Sequence, residues 1–205
     1  MTPVRPAVFL DRDDTLIHRA GGLPTGDLGD PADMEILPGV HEGLHLLKHA
    51  GYALIVVTNQ GGVARGAYTL ADVDRVHHAL NLALDHVIDD FRACPYHPNG
   101  SVPEFAQEHP WRKPAPGMLL DAAAAHRLDL PRSWMIGDAE RDVLAGKAAG
   151  CRGAIMVGDG AAAASYGVAP TQGALGEPTF REPDLLHAAR RILAADATPR
   201  EPRRA

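Results

Sequence analysis

The chain is short of thiols, of basic charge and of long apolar runs. Its 20 lysines and arginines face 26 aspartates and glutamates, a net charge of -6. Wrapping nucleic acid needs a basic surface that displaces counterions, so this balance argues against a nucleic-acid partner. A few local cations would still suffice for one phosphate. The two cysteines, Cys94 and Cys151, lie far apart and offer no disulfide framework. The first apolar run, Ala7-Val8-Phe9-Leu10, is too short for a signal peptide or a membrane span. A cytoplasmic protein without a membrane partner is the expectation, and no internal repeat is visible.

What is present suits one well-filled domain: 205 residues, 45% of them hydrophobic. That domain is expected over residues 1–195, with 196–205 a disordered tail. Short apolar runs alternate with helical patterns, the mark of a parallel α/β sheet. Strands are predicted at Ala7–Leu10, Ala53–Thr58, Trp134–Ile136 and Ala154–Val157. Weaker ones are predicted near Phe91–Cys94 and Thr179–Phe180. Strands covered on both faces read as continuous apolar runs, as these do.

Helices are predicted between them. Val40, Leu44 and Leu47 share a face ahead of Gly51. Thr69 caps a helix carrying Val73, Val76, Leu80, Leu84 and Val87. Pro116 starts one at Met118–Leu128. Others run over Glu140–Ala149 and Asp184–Ala195. Gly21–Pro31, Pro95–Pro116 and Gly158–Gly176 read as irregular.

In open α/β sheets, ligands bind beyond the carboxyl ends of the strands. The first predicted strand ends in Asp11-Arg12-Asp13-Asp14-Thr15. The second ends in Thr58-Asn59-Gln60-Gly61. Another ends in Gly137-Asp138, with Asp142 one turn on, and Arg112-Lys113-Pro114 lies between. This set suits phosphate-monoester hydrolysis, which is very slow in water and depends on positioning and charge neutralisation. One carboxylate can be the nucleophile and split the reaction in two. A second, two residues on, can protonate the leaving oxygen and later activate water. The crowded negative charge calls for a hard cation with oxygen ligands, and magnesium fits.

These residues resemble the haloacid-dehalogenase-like (HAD) phosphatase superfamily. Asp11-Arg12-Asp13-Asp14-Thr15 matches its Asp-x-Asp-x-Thr motif, followed in order by Thr58, Lys113 and the acidic pair Asp138 and Asp142. The resemblance implies a three-layer Rossmann-like fold with a mostly parallel sheet. It implies Asp11 as nucleophile and magnesium ligand. It implies Asp13 as general acid and base, binding magnesium through its carbonyl. Thr58 and Lys113 would hold the phosphoryl group. Asp138 would be the other carboxylate on the metal, with Asp142 behind it. A helix and a strand use up most of the chain between Asp11 and Thr58, so no large cap domain is expected.

The stretches AVFLDRDDTL, VVTNQGGVARG, CPYHPNGSVPEF and RKPAPGMLL further resemble the histidinol-phosphate and heptose-bisphosphate phosphatases. That group implies a phosphorylated small molecule as partner, a sugar bisphosphate first and histidinol phosphate as the alternative. It assigns Arg19, Ala20, Gly21, Gly22, Asn59, Gln60, Gly61 and Arg112 to substrate contact. Arg112 could bind a distal phosphate bidentately. A non-catalytic phosphate-binding module is the reading from another class, and intact Asp11 and Asp13 speak against it.

The chain departs from that group in three places. The usual Cys-x-His and Cys-x-Cys zinc ligands read here Cys94-x-Tyr96 and His109-x-Trp111. A closed structural zinc shell needs four ligands, so no structural zinc is expected, even with His97 nearby. Tyr96 and Trp111 are expected to pack together instead. Asp14 stands where glycine is usual and reads as a turn residue with positive φ. Ala139 stands where lysine is common. Finally, His41, His45 and His49 share a helix face, which reads as a solvated flank because no acidic or thiol partner is evident.

Overall fold

The structure is a computed structural model and describes residues 4–20, 28–158 and 176–197. All four side chains of β1 (Ala7–Leu10) are fully buried. Successive strand residues point to opposite faces, so both faces of β1 must be covered. Val8 and Leu10 enter one apolar layer, while Ala7 and Phe9 enter the other.

Among the described residues, six parallel strands make the sheet. Their order is β5 (Asp90–Cys94), β4 (Ala53–Asn59), β1, β6 (Trp134–Gly137), β7 (Gly153–Val157) and β8 (Phe180–Glu182). Helices α1 (Val40–His49), α3 (Leu70–Ala83) and α6 (Leu185–Ala197) cover the Val8 face with Leu44, Leu80 and Ile192. Helices α4 (Gly117–His126) and α5 (Glu140–Ala149) cover the other with Met118, Leu119 and Val143. Each such side chain contributes about 1.5–3 kcal/mol on burial. The chain leaves β1 toward β4 on one side and returns as β6 on the other. The carboxyl end of β1 is therefore the switch point where a ligand crevice opens.

Every predicted strand is present, with ends shifted by a residue or two. A short antiparallel hairpin joins them, β2 (Ile17–Arg19) with β3 (Met34–Ile36). It went unpredicted because three residues carry too little alternation to read. A one-turn helix, α2 (Gly62–Arg65), was also unforeseen. Its carboxyl end is Gly66 at φ 71°.

Thr69 caps α3 as expected, and the cap is a reciprocal capping box: Thr69 Oγ1 accepts from the Asp72 N–H at 3.3 Å, and Asp72 accepts from the Thr69 N–H at 2.6 Å. Its far end differs. The helix stops at Ala83, so Val87 lies beyond it. Asp85 and His86 both take left-handed φ, at 53° and 56°. Asn81 holds this reversal: its side chain accepts from the Ile88 N–H at 3.1 Å and donates to the Ile88 carbonyl at 3.3 Å. Likewise α4 ends at His126 rather than Leu128, because Arg127 turns left-handed at φ 54°. Residues 196 and 197, expected in the tail, are helical. Asp196 still belongs to α6, accepting from Tyr52 Oη and from Arg152. Residues 198–205 and most of Gly158–Gly176 lie outside the described residues.

His77 on α3 is 7% exposed and stacks on Phe91 at 4.5 Å. Burial first, and the Arg12 charge second, push its imidazole down to about 3. The unfolded chain therefore takes a proton that the folded chain refuses, and stability falls as pH drops below the unfolded value. Between pH 7.5 and 5 this amounts to about 2 kcal/mol, from an ordinary value near 6.5. His77→Phe should lose that much less stability over this range. Urea unfolding of both proteins at the two pH values measures it, and parallel losses would refute it.

Candidate active site

The predicted acids meet at the carboxyl ends of β1 and β6. Asp11 follows β1, and its N–H donates to the Ile136 carbonyl at 2.9 Å, which fixes it beside β6. Asp138 follows β6, and Asp142 lies on the first turn of α5. Carboxylate oxygens of Asp11, Asp138 and Asp142 lie within 4.8 Å of one another, and all three residues are buried. Gly137 permits this closeness: a Cβ there would sit 2.4 Å from Asp142 Cγ.

Lys113 Nζ stands 2.9 Å from Asp11 Oδ1 and 2.6 Å from Asp142 Oδ1, fully shielded from solvent. Its ammonium loses hydration, but Asp11 and Asp142 outweigh that loss and hold its pKa above the ordinary value. Burial alone would raise Asp11. Lys113, Arg141 and the Arg12 N–H overcome it and hold the carboxyl below its usual range. Asp11 is thus kept as the anion a nucleophile must be. Asp13 goes the other way: burial raises it, Arg12 opposes, and Asp11 adds to the rise. A carboxyl that holds its proton longer suits a general acid.

A buried polar net fixes Asp13. Arg12 Nε donates to Asp13 Oδ1 at 3.0 Å, and Arg12 Nη2 donates to Gln60 Oε1 at 2.9 Å. Gln60 Nε2 donates to Asp13 Oδ2 and to Thr58 Oγ1, both at 2.8 Å. Tyr68 Oη donates to Gln60 Oε1 at 2.8 Å. The Gln60 side chain is therefore engaged with protein on every side. Asn59 is similarly occupied. Its Oδ1 accepts from the Lys113 N–H and its Nδ2 donates to the Lys113 carbonyl, both at 3.0 Å. Both side chains thereby hold their neighbours in place.

Two arginines escaped the sequence reading. Arg141, on α5, reaches 3.7 Å from Asp11 Oδ2 and 3.6 Å from Asp138 Oδ1. It stands two residues after Ala139 and brings positive charge beside Asp11 and Asp138. Arg65, at the end of α2, converges with Arg112 on Gly61: Nη1 of each lies 3.2–3.3 Å from where a Gly61 Cβ would be. Arg112 Nη1 also donates to the Tyr96 carbonyl at 3.2 Å. Burial, and after it the like charges of Arg141 and Arg65, hold the Arg112 guanidinium below its ordinary pKa, with Cys94 opposing. The VVTNQGGVARG stretch contained Arg65, but only the fold shows that α2 turns it toward Arg112.

Arg19 and Ala20 stand on the hairpin. Arg19 pairs with Asp33 at 3.8 Å, and the Ala20 N–H donates to the Asp33 carbonyl at 3.0 Å. Gly21 and Gly22 lie outside the described residues. Asp14 has φ 57°, as a turn residue replacing glycine should, and its carboxylate bonds His18 Nδ1 at 2.9 Å. With Thr15, His18, Asp138 and Asp184 it lines a cleft beside the acid cluster.

In the β5–α4 loop, His109 lies between Tyr96 and Trp111, stacking on the first at 4.1 Å and meeting the second edge-on at 6.1 Å. The two rings expected to pack on each other thus each meet His109 instead. Among the described residues, Cys94, His97 and His109 do not converge as a metal-ligand group. Their imidazole Nδ1 atoms accept instead from the Asn99 and Trp111 N–H groups, each at 3.1 Å.

Whether a cation suits the acid cluster can be judged from Asp138. Both its oxygens are buried without a hydrogen bond. Burial first, then Asp142 and Asp11, push its carboxyl up to about 8. An all-oxygen group of three buried carboxylates crowded this closely fits a hard divalent ion.

A parallel α/β sheet with a nucleophile-ready aspartate, a paired lysine and an oxygen cluster at its switch point defines a phosphoryl-transfer hydrolase. Comparison with known proteins narrows the class. Residues 110–180 match the family model described as HAD-hydrolase-like. D-glycero-β-D-manno-heptose-1,7-bisphosphate 7-phosphatase of Escherichia coli K12 is 39% identical over 158 residues, 76% of this chain and 80% of that one. The protein of the same name from Rhodopseudomonas palustris is 38% identical over 157 residues, 74% and 83% of the two chains. Among solved structures, a D,D-heptose 1,7-bisphosphate phosphatase from B. bronchiseptica, complexed with magnesium and phosphate, superposes with a TM-score of 0.75. It is 28% identical, and the match covers 93% of this chain and 99% of that one. The chain belongs to the HAD-like phosphatases and is a phosphatase of that family.

Proposed function

We propose that the chain removes one phosphate from a sugar bisphosphate, D-glycero-β-D-manno-heptose 1,7-bisphosphate, at its 7-position. The relatives' names support the substrate. The observation that carries it in this chain is the convergence of Arg65, Arg112 and Arg141 around the nucleophile's neighbourhood. One reacting phosphate already has Lys113 and Thr58. Three further guanidiniums suit a second, distal phosphate.

The Asp11 carboxylate attacks phosphorus in line with the sugar oxygen, forming an aspartyl-phosphate. The P–O bond to the sugar breaks, and Asp13 gives its proton to the departing oxygen. Asp13 then takes a proton from water, which attacks the acyl phosphate and frees Asp11 and inorganic phosphate. Thr58 and Lys113 hold the phosphoryl oxygens throughout. Gln60 and Arg12 keep Asp13 aimed at the leaving group. Asp11, Asp138 and the Asp13 carbonyl would hold magnesium, with Asp142 behind them. When bound, the ion would neutralise charge on the phosphoryl group. Two free thiols, and no helix among the described residues able to cross a membrane, support a cytoplasmic setting.

The reading predicts a higher kcat/KM for the bisphosphate than for the matching 7-monophosphate. Arg112→Ala should remove most of that advantage, about ten- to a hundredfold for a charge-assisted contact. It should spare monophosphate turnover. Phosphate-release assays on both substrates and on histidinol phosphate decide it. Equal kcat/KM for the two sugars would sink the bisphosphate reading.

A further inference from the structure

We propose a second metal site, between α1 and the turn after α3, formed by His41, His45 and Asp85 and suited to a zinc-like transition-metal dication. The sequence shows two histidines one helical turn apart and no acid beside them. The fold supplies the acid. Asn81 ends α3 early and turns the chain left-handed at Asp85, which brings that carboxylate over the first turns of α1.

The donor geometry is close to a preformed chelate. Asp85 Oδ2 lies 3.0 Å from His41 Nε2 and 3.8 Å from His45 Nε2. One ligand atom from each residue lies within 4.8 Å of the other two. With metal–ligand bonds of about 2.0–2.1 Å, the donor atoms of a tetrahedral site stand about 3.3–3.4 Å apart. The two distances to Asp85 bracket that edge, so small side-chain rotations would complete three corners. Water can fill the fourth.

A separate observation points to a ligand. His45 Nε2 is shut off from solvent and has no hydrogen-bond partner. A buried polar atom left unmatched costs free energy. Coordination would satisfy it. The two imidazole rings already stand together, with centroids 4.6 Å apart. Below them, His49 Nδ1 donates to the His45 carbonyl at 2.7 Å, which steadies that turn of α1. Two imidazoles and one carboxylate select zinc, nickel, cobalt or copper over magnesium, which prefers an all-oxygen shell. The two clusters therefore divide by ion type. An ion here would tie α1 to the turn after α3.

Calorimetric titration of the full chain with zinc chloride tests this, with excess magnesium to occupy the acid cluster. Wild type should bind one zinc ion and gain thermal stability with it. His45→Ala and Asp85→Ala should each weaken binding at least tenfold and abolish the stability gain. Cys94→Ser should bind as wild type does, which separates this site from the β5–α4 loop. His41→Gln keeps a polar side chain of similar reach, and it should also lose tenfold if the other variants fold poorly. Absence of zinc binding to wild type would overturn the proposal. So would undiminished binding in folded His45→Ala, or a binding loss confined to Cys94→Ser.

Discussion

Asp11→Asn is expected to lower turnover by at least about a thousandfold, some 4 kcal/mol in the barrier. An amide cannot take the phosphoryl group as a carboxylate does, so the first step has no nucleophile. The fold should survive the change. Lys113 loses one partner at 2.9 Å but keeps Asp142 at 2.6 Å, so no buried charge is stranded. Steady-state rates with the bisphosphate, together with thermal unfolding, separate the two effects. Near wild-type turnover would end the nucleophile assignment. A collapsed unfolding temperature would show that the Asp11–Lys113 pair matters more to stability than the geometry indicates.

Lys113→Met should be worse, because it removes a buried ammonium that touches both Asp11 and Asp142. Breaking a buried pair from one side leaves uncompensated charge and costs about 3–5 kcal/mol. Activity should vanish as well, since the phosphoryl group loses its ammonium contact. The double change Lys113→Met with Asp142→Asn sorts these losses. It removes one of the two carboxylates left without the ammonium, so it should recover part of the stability and none of the turnover. Denaturant unfolding in the absence of magnesium is the measurement. If the double variant is no more stable than the single one, stranded charge is not what destabilises it.

The sheet and the acids were legible for one physical reason. Strands covered on both faces admit only apolar residues, so Ala7–Leu10 and Ala53–Thr58 announce themselves, and the polar residue after each marks the crevice. The cations were less so. Lys113 was recognised by its motif, but Arg65 and Arg141 belong to no periodic pattern, and their aim depends on where α2 and α5 point. The side-chain amide hydrogen bonds of Gln60 and Asn59 were not legible either, since sequence places these residues at a strand end without showing which protein groups they hold. Asp85 is the sharpest case. The helical pattern of its neighbours runs on to Val87, and only the side-chain bonds from Asn81 reveal that the chain turns before it. Such local competition between a side chain and the helix ladder leaves little trace in composition.

The paired bonds from Asn59 to the backbone of Lys113 join residues 54 positions apart. They act as a splice: the chain departs at β4, wanders through α3, β5 and the proline-rich loop, and is returned to the same two atoms. Whatever happens along that detour, the ammonium comes back to one place. Lengthening or reshaping the loop would alter which molecules can enter while leaving the reactive group where it was. Selectivity in this scaffold can drift through insertions and deletions without the chemistry having to be rebuilt each time.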